Sequence, residues 1–239
     1  MTEENIVGWV EEAKEIDPWV FTSLALPSVD VGEKVSFTPI YIDINVNAPM
    51  VEPIEYTDIM IDCETLGLGK RPYIVEIGVV AFNRDLPIAE EYEAQDFYAR
   101  IDPKAPGNGD ITPSTVYWWM DQGAQAISRV FLQEGERVTL EHALRELAIW
   151  LKPLGSKVRI IANPSHADIT WLESHYEALG MPVPWTYSQV RCDRTMREDA
   201  YALGFKSKQT ATGVEHSALD DALNQANLYS EIWQWLKNK

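Results

Sequence analysis

Cysteine is scarce: Cys63 and Cys192 are the only two in 239 residues. That is too few for a disulfide framework and suits a reducing compartment. Histidine occurs four times. His142, His166 and His175 show no ligand spacing, and neither a His-Glu-x-x-His stretch nor a close cysteine pair is present, so no structural zinc site is expected. A run of about 18 apolar residues, enough to cross a bilayer, is missing. The opening Met-Thr-Glu-Glu-Asn-Ile is acidic where a secretory signal is basic and then apolar. The expected compartment is the cytoplasm, with no membrane partner. Gly67-Leu-Gly69-Lys70 lacks the upstream glycine and the following Ser or Thr of a phosphate-binding P-loop.

Positive charge is also in short supply, with 20 Lys and Arg against 37 Asp and Glu and a formal net charge of −17. Broad contact with duplex DNA requires many cations to displace phosphate counterions, so that class of function is disfavoured. A small site that handles phosphate through bound metal ions remains compatible with this balance. Apolar residues make up 46% of the chain, which excludes wholesale disorder and permits one sizeable domain with an extension.

Residues 1–55 read as that extension, since residues 1–56 carry 11 acids and only 2 bases. A short amphipathic helix is expected over Gly8–Val20 and a strand over Ser36–Val46, followed by a Pro-containing linker to Pro53. A surface arm or partner-docking segment is the plainest role. From Tyr56 the pattern becomes α/β. Strands are expected over Asp58–Asp62, Tyr73–Asn83, Glu91–Ile101 and Lys157–Ala162. Thr112-Pro113 marks a helix start. Further helices are expected from Leu140 to Leu151, Ser165 to Leu179 and Ala218 to Leu236, each with apolar residues at helical spacing. Three early strands followed by strand–helix alternation predict a mixed sheet flanked by helices.

The chemistry concentrates in carboxylates. Asp62 and Glu64 stand at i and i+2 on the first strand and share one face, while Cys63 faces the other way as a packing residue. Two acids this close repel unless cations sit between them. On the last helix, Ser217 and Asp220 fit a capping box, which gives Asp220 a structural duty and leaves Asp221 without one. His216, just before the cap, can fold back toward Asp221. Asp168 follows the Lys157–Ala162 strand, near the strand ends where open α/β sheets bind ligands; Ser165 and Asp168 also fit a capping box. Glu76, inside the long central strand, suits a local hydrogen-bonding role better than a catalytic one.

Asp62-Cys-Glu64-Thr65 on a first strand, Asn163-x(4)-Asp168 on a middle helix and His216-x-Ala218-x-x-Asp221 on a final helix resemble the three ordered motifs of DnaQ-like DEDDh 3′–5′ exonucleases. The resemblance spans about residues 57–235. The stretch from Asp62 to Phe82 and the helix from Thr112 further resemble the phage exonuclease A type and a related bacterial exoribonuclease family. One departure is Ala167, where the family commonly has Phe before the second-motif Asp.

The resemblance implies an RNase H-like fold for residues 56–239 and hydrolysis of single-stranded DNA or RNA from its 3′ end to 5′-mononucleotides. Asp62, Glu64, Asp168 and Asp221 would bind two divalent ions, Mg²⁺ or Mn²⁺, about 4 Å apart, and His216 would act as general base. All-oxygen ligation suits these ions better than zinc. Thr65 and Asn163 would contact substrate. Trp118 and Trp119 diverge by about 100° on a helix, so at most one stacks on the terminal base and the other is core. Lys70, Arg71, Arg191 and Arg194 are within the choice of phosphate contacts, with solvated surface charge as the plainer reading. A homo-oligomer is left open. Two alternatives stand beside the exonuclease: a non-catalytic module that grips a nucleic-acid end or a partner, and an aspartyl phosphatase, which prefers Asp-x-Asp and so fits less well.

Overall fold

The computed structural model describes residues 55–86, 95–102, 104–105, 108–132 and 135–239. The helix and strand expected within residues 1–55 lie outside the described residues, as does the start of the strand expected at Glu91. Five strands form one sheet: β1 (Asp58–Thr65), β2 (Ile74–Phe82), β3 (Gln95–Arg100), β4 (Arg159–Ala162) and β5 (Val190–Cys192), in the order β3-β2-β1-β4-β5. β1 runs antiparallel to β2, and β2 to β3, whereas β4 is parallel to both β1 and β5. The helices are α1 (Pro113–Met120), α2 (Ala124–Ile127), α3 (Leu140–Leu151), α4 (Asp168–Ala178), α5 (Asp193–Ala202) and α6 (Ala218–Lys237). This is the expected mixed sheet with helices on its faces. No helix among the described residues is long and apolar enough to cross a membrane.

Side chains alternate across a strand, and here the alternation sorts two cores. Ile59, Ile61 and Cys63 of β1 join Ile77, Val79 and Ala81 of β2 beneath α3 and α4, packed against Leu144, Leu147, Leu172 and Tyr176. Met60 of β1 and Val80 and Phe82 of β2 face the other way, onto Ala222, Ala226 and Tyr229 of α6. β2 is buried along its whole length, which explains its nearly unbroken apolar run. At the end of the sheet away from Glu64, the buried Asp58 carboxylate is held by both nitrogens of Arg159 that face it.

The α6 face carries one feature that positions everything else. Register places Asp62 opposite Gly78 and Glu64 opposite Glu76. The first residues of α6 lie directly on Gly78, where an added Cβ would stand 2.2 Å from the Ala218 carbonyl carbon and 2.3 Å from Leu219 N. Beside it, the buried Glu76 carboxylate receives the Ala218 N–H at 3.4 Å and lies 3.9 Å from Arg100 Nε. A carboxylate is favourable at the positive end of a helix. Glu76 therefore has the local hydrogen-bonding role expected of it, and the missing side chain at residue 78 lets the helix start within reach of β1.

Three details depart from the sequence reading. α4 begins at Asp168, with Ala167 rather than Ser165 in the N-cap position; Asp168 is directed to β1, as described below, instead of to a cap. Leu179, the last residue of the expected helix, is the C-cap of α4 and is 38% exposed, whereas Ile169, Leu172 and Tyr176 of the same helix are buried. β5 and α5 carry no counterpart in the sequence reading. The strand is three residues long, and α5, Asp-Arg-Thr-Met-Arg-Glu-Asp-Ala-Tyr-Ala, buries only Asp193 and Ala200, too sparse a stripe for periodicity to reveal.

Candidate active site

The carboxylates of β1 project on the α6 face, as alternation requires, and a register shift between Glu64 and Thr65 interrupts the ladder beside them before its last pair, Thr65 with Ile74. Such irregularities re-aim side chains at strand ends. Asp62 Oδ1 accepts a hydrogen bond of 2.8 Å from Gln225 Nε2 of α6. Burial, then the charges of Asp168 and Glu64, hold the Asp62 carboxyl well above the usual carboxylate range. Gln225 partly opposes this, and Asp221 adds to it. Cys63 is buried with its thiol pushed up by burial and by the same acids, an inert packing residue as expected.

Asp168 arrives from the other side. As the first residue of α4 it is 5% exposed, and its Oδ1 accepts the Cys63 backbone N–H at 3.0 Å. The two motifs are thus tied by a bond spanning 105 residues. Burial pushes the Asp168 carboxyl up to about 7, against the opposing pull of backbone N–H donors and of Arg194.

The loop before α6 supplies the last pair. His216 has φ 62° and is the one non-glycine residue with positive φ among the described residues. This backbone region is uncommon for a residue with a Cβ and marks functional strain when surrounding contacts enforce it. Here the His216 main chain lies beside the Asp221 carboxylate and favours its charged form, and Ser217 caps the helix by accepting Asp220 N at 3.4 Å. The left-handed turn is the fold-back expected of His216. Ligand atoms of Glu64, His216 and Asp221 lie within 4.8 Å of one another. Asp221 is raised chiefly by burial, with His216 opposing. Asp220 points away from this cluster, its Oδ2 accepting Val214 N at 2.9 Å; it secures the loop beyond the cap itself.

The two tryptophans divide as their divergence on α1 requires. Trp119 is fully buried and its Nε1 donates to the Thr65 carbonyl at 2.8 Å, which excludes it from stacking on substrate. Trp118 is 44% exposed, and its ring meets that of His216 edge-on at a centroid distance of 4.9 Å. Asp62, Glu64, Asp168, Asp221, His216 and Trp118 all line one cleft of about 670 Å³. Thr65 and Asn163 line it too, although the Thr65 hydroxyl donates inward to the Gly67 carbonyl at 2.7 Å and Asn163 Oδ1 accepts from Arg194 Nε at 3.3 Å. Of the four basic residues considered from sequence, Arg194 alone is among those lining the cleft.

Gly78, Glu76 and Gln225 are positioning residues that the sequence reading did not assign to the site. A glycine inside an apolar strand was the available signal for the first, because it marks a close backbone approach. For Gln225 no local pattern distinguishes it from any polar helix residue. The donor set suits hard divalent cations: carboxylate oxygens dominate, and the burial that raises Asp62, Asp168 and Asp221 makes an anionic cluster costly unless cations balance it.

Comparison with known proteins follows the same lines. An exodeoxyribonuclease of Enterobacteria phage T4 is 25% identical over 88 residues, which are 35% of this chain and 39% of the phage protein. The chain thus spans about two fifths of that relative's length. Among solved structures, the RNase domain of the yeast Pop2 protein has a TM-score of 0.52 at 12% identity, covering 77% of this chain and 79% of its own. The nuclease domain of 3′hExo, a DEDDh family member bound to rAMP, has a TM-score of 0.50 at 16% identity, covering 75% and 92%. These likenesses establish the RNase H-like nuclease fold. The 3′-5′ exoribonuclease Rv2179c-like domain matches residues 57–233, a span that holds all three acidic motifs. With well over half its length matched in this way, the chain belongs to the 3′–5′ exoribonuclease Rv2179c-like domain family.

Proposed function

We propose that the cleft hydrolyses single-stranded RNA from its 3′ end, releasing one 5′-mononucleotide per cut, with single-stranded DNA as the weaker substrate. The convergence of Asp62, Glu64, Asp168, Asp221 and His216 from three separate elements on one cleft carries this reading. The family match favours RNA. Asp62, Glu64, Asp168 and Asp221 would hold two divalent cations, Mg²⁺ or Mn²⁺, whose positive charge cancels the negative charge of the four carboxylates. Bound there, such ions lower the pKa of an attacking water and stabilise the leaving oxygen.

The chain's own residues do the rest. His216 accepts the proton of the water that attacks phosphorus, a role typically worth about 10²–10⁴-fold in rate. The P–O3′ bond breaks, leaving a 3′ hydroxyl on the shortened strand and a 5′ phosphate on the released nucleotide. Edge contact with Trp118 and Trp119 limits the imidazole's rotation. Trp118 offers its exposed face to the terminal base; base–aromatic stacking contributes about 1–3 kcal/mol and tolerates any base. The small supply of positive charge in the cleft fits a single strand held at its end rather than a long duplex. A 5′-labelled single-stranded RNA incubated with Mg²⁺ or Mn²⁺ should shorten stepwise, faster than the matched DNA. Equal or faster digestion of the DNA would reverse the sugar preference, and an intact ladder on both would defeat the reading.

The carboxylates also predict how stability responds to pH. Folded-state pKa values raised above the unfolded value mean that protonation stabilises the fold, and that this contribution is lost as pH rises through the folded pKa. For Asp168 that crossing lies at about 7, and Asp62 and Asp221 are shifted in the same direction. The metal-stripped protein should therefore lose thermal stability between about pH 4 and about pH 7, from the unfolded carboxylate value up through the folded Asp168 value. Saturating Mn²⁺ should restore about 5 °C at the upper pH and less at the lower, because the cation binds the ionised cluster. Calorimetry showing the same Mn²⁺ gain at both pH values would contradict a buried carboxylate cage.

A further inference from the structure

The chain's formal charge is −17, and its described arginines mostly face acids: Arg159 and Arg84 meet Asp58, Arg100 meets Glu76, Arg145 meets Glu141 and Arg197 meets Asp193. Arg194 is different. It is the second residue of α5, exposed, and lines the carboxylate cleft. Its Nε donates to Asn163 Oδ1 at 3.3 Å, and among the described residues it makes no ion pair. A guanidinium carries five N–H donors in a planar fork suited to phosphate oxygens. One donor is used to fix the side chain, and the two terminal nitrogens stay available. An arginine held by a neutral amide at the mouth of an acidic cleft has the chemistry of an anion contact, and the substrate is a polyanion.

The cleft also indicates which phosphate. At the scissile phosphodiester, the carboxylates and the cations they hold provide the counter-charge. The next phosphate toward the 5′ end has no such balance, and among the described residues lining the cleft Arg194 carries the one permanent positive charge. We propose that Arg194 binds the phosphate one linkage 5′ of the bond being cut, with Asn163 as the residue that positions it. This rests on the exonuclease reading above. It gives Asn163 a purpose: its side-chain oxygen anchors the guanidinium in place of the direct substrate contact expected from sequence. The contact is sequence-independent and raises affinity without entering the chemical step, so it acts on KM.

The test uses the full chain and two 5′-labelled single-stranded RNAs, one unmodified and one with an uncharged methylphosphonate at the second linkage from the 3′ end. With the wild-type protein the methylphosphonate alone should raise KM about 10-fold, the loss of one charge-assisted hydrogen-bonding pair. Arg194→Ala should raise KM by the same factor on the unmodified RNA, with kcat within about 2-fold. It should also lower the slope of log KM against log salt by about 0.7, the share of one phosphate contact on a single strand. On the methylphosphonate substrate, wild type and variant should be indistinguishable, because both partners of one interaction are then removed. Arg194→Lys should recover part of the loss, and Asn163→Ala should show a smaller KM rise that also vanishes on the modified RNA. Equal losses on both substrates, an unchanged salt slope, or a fall in kcat in place of a rise in KM would overturn the proposal. Failure of the wild-type protein to shorten either RNA would instead defeat the exonuclease reading and the proposal with it.

Discussion

Asp221→Ala is expected to lower kcat by at least about 10³-fold, the scale on which removal of one preorganised charge-stabilising group acts, while Asp220→Ala leaves kcat within about 10-fold. The two residues are adjacent in sequence and equally acidic, so composition cannot separate them. Geometry does. The Asp221 carboxylate stands within 4.8 Å of ligand atoms of Glu64 and His216, so under the proposed mechanism its loss would remove a cation ligand beside the proposed general base. The Asp220 carboxylate turns back to Val214 N. It sits close under Gly213, where an added Cβ would stand 2.6 Å from its Cγ. Removing it should cost about 1 kcal/mol, the net value of a part-buried hydrogen bond, and a few degrees of Tm in a chain of this size. Single-turnover rates and melting curves of both variants decide the matter. Well-folded variants with equal loss of activity would show that the cap and the cluster are not separate.

Among the described glycines Gly78 leaves the least room for an added carbon, and Gly78→Ala should be severely damaging. The added carbon would stand about 2.2 Å from the Ala218 carbonyl carbon and oxygen, and backbone atoms, unlike a flexible side-chain end, cannot swing away. Overpacking typically costs 1–3 kcal/mol, and more where backbone must move. β2 and α6 must therefore separate, and α6 carries Asp221, the cap of Ser217 and the Gln225 contact to Asp62. A displacement of about 1 Å at a catalytic group can cost about 10²-fold in rate. The expected result is a Tm lowered by roughly 10 °C and kcat lowered by at least about 10²-fold in whatever protein remains folded. Gly69→Ala is the control, because nothing lies within 4 Å of the carbon it would add. A Gly78→Ala protein with wild-type melting and turnover would mean that α6 does not sit where its contacts with β2 place it.

The motifs were readable because their spacing obeys element geometry. Asp62 and Glu64 are two apart on a strand and so share a face. Trp118 and Trp119 are one apart on a helix and so divide into an exposed and a buried ring, as observed. The Leu140–Leu151 helix is legible from its apolar stripe, of which Leu140, Ala143, Leu144, Leu147 and Leu151 are buried and Ala148 partly so. Less was legible where a side chain's partner is distant. Asp168 and Ser165 have the spacing of a capping box, yet Asp168 accepts from Cys63 N, 105 residues away, and Ala167 takes the cap position. β5 and α5 were silent because a three-residue strand and a helix burying only Asp193 and Ala200 leave no period to detect.

The order of the acids along the chain, the strand and helix types that bear them and the sign of the charge they create were determined by sequence alone, since alternation and helical period are local rules. Only the tertiary structure decided that Arg194 is the basic residue at the cleft, that Gln225 and Glu76 brace the site and that His216 adopts a left-handed turn. Each of those outcomes depends on which surfaces come into contact, and the decisive contact is the seating of α6 on a glycine. The absence of one side chain in a buried strand brings a helix end and a strand end close enough for their carboxylates to share a cleft. Nothing in the local pattern around either element specifies that distance.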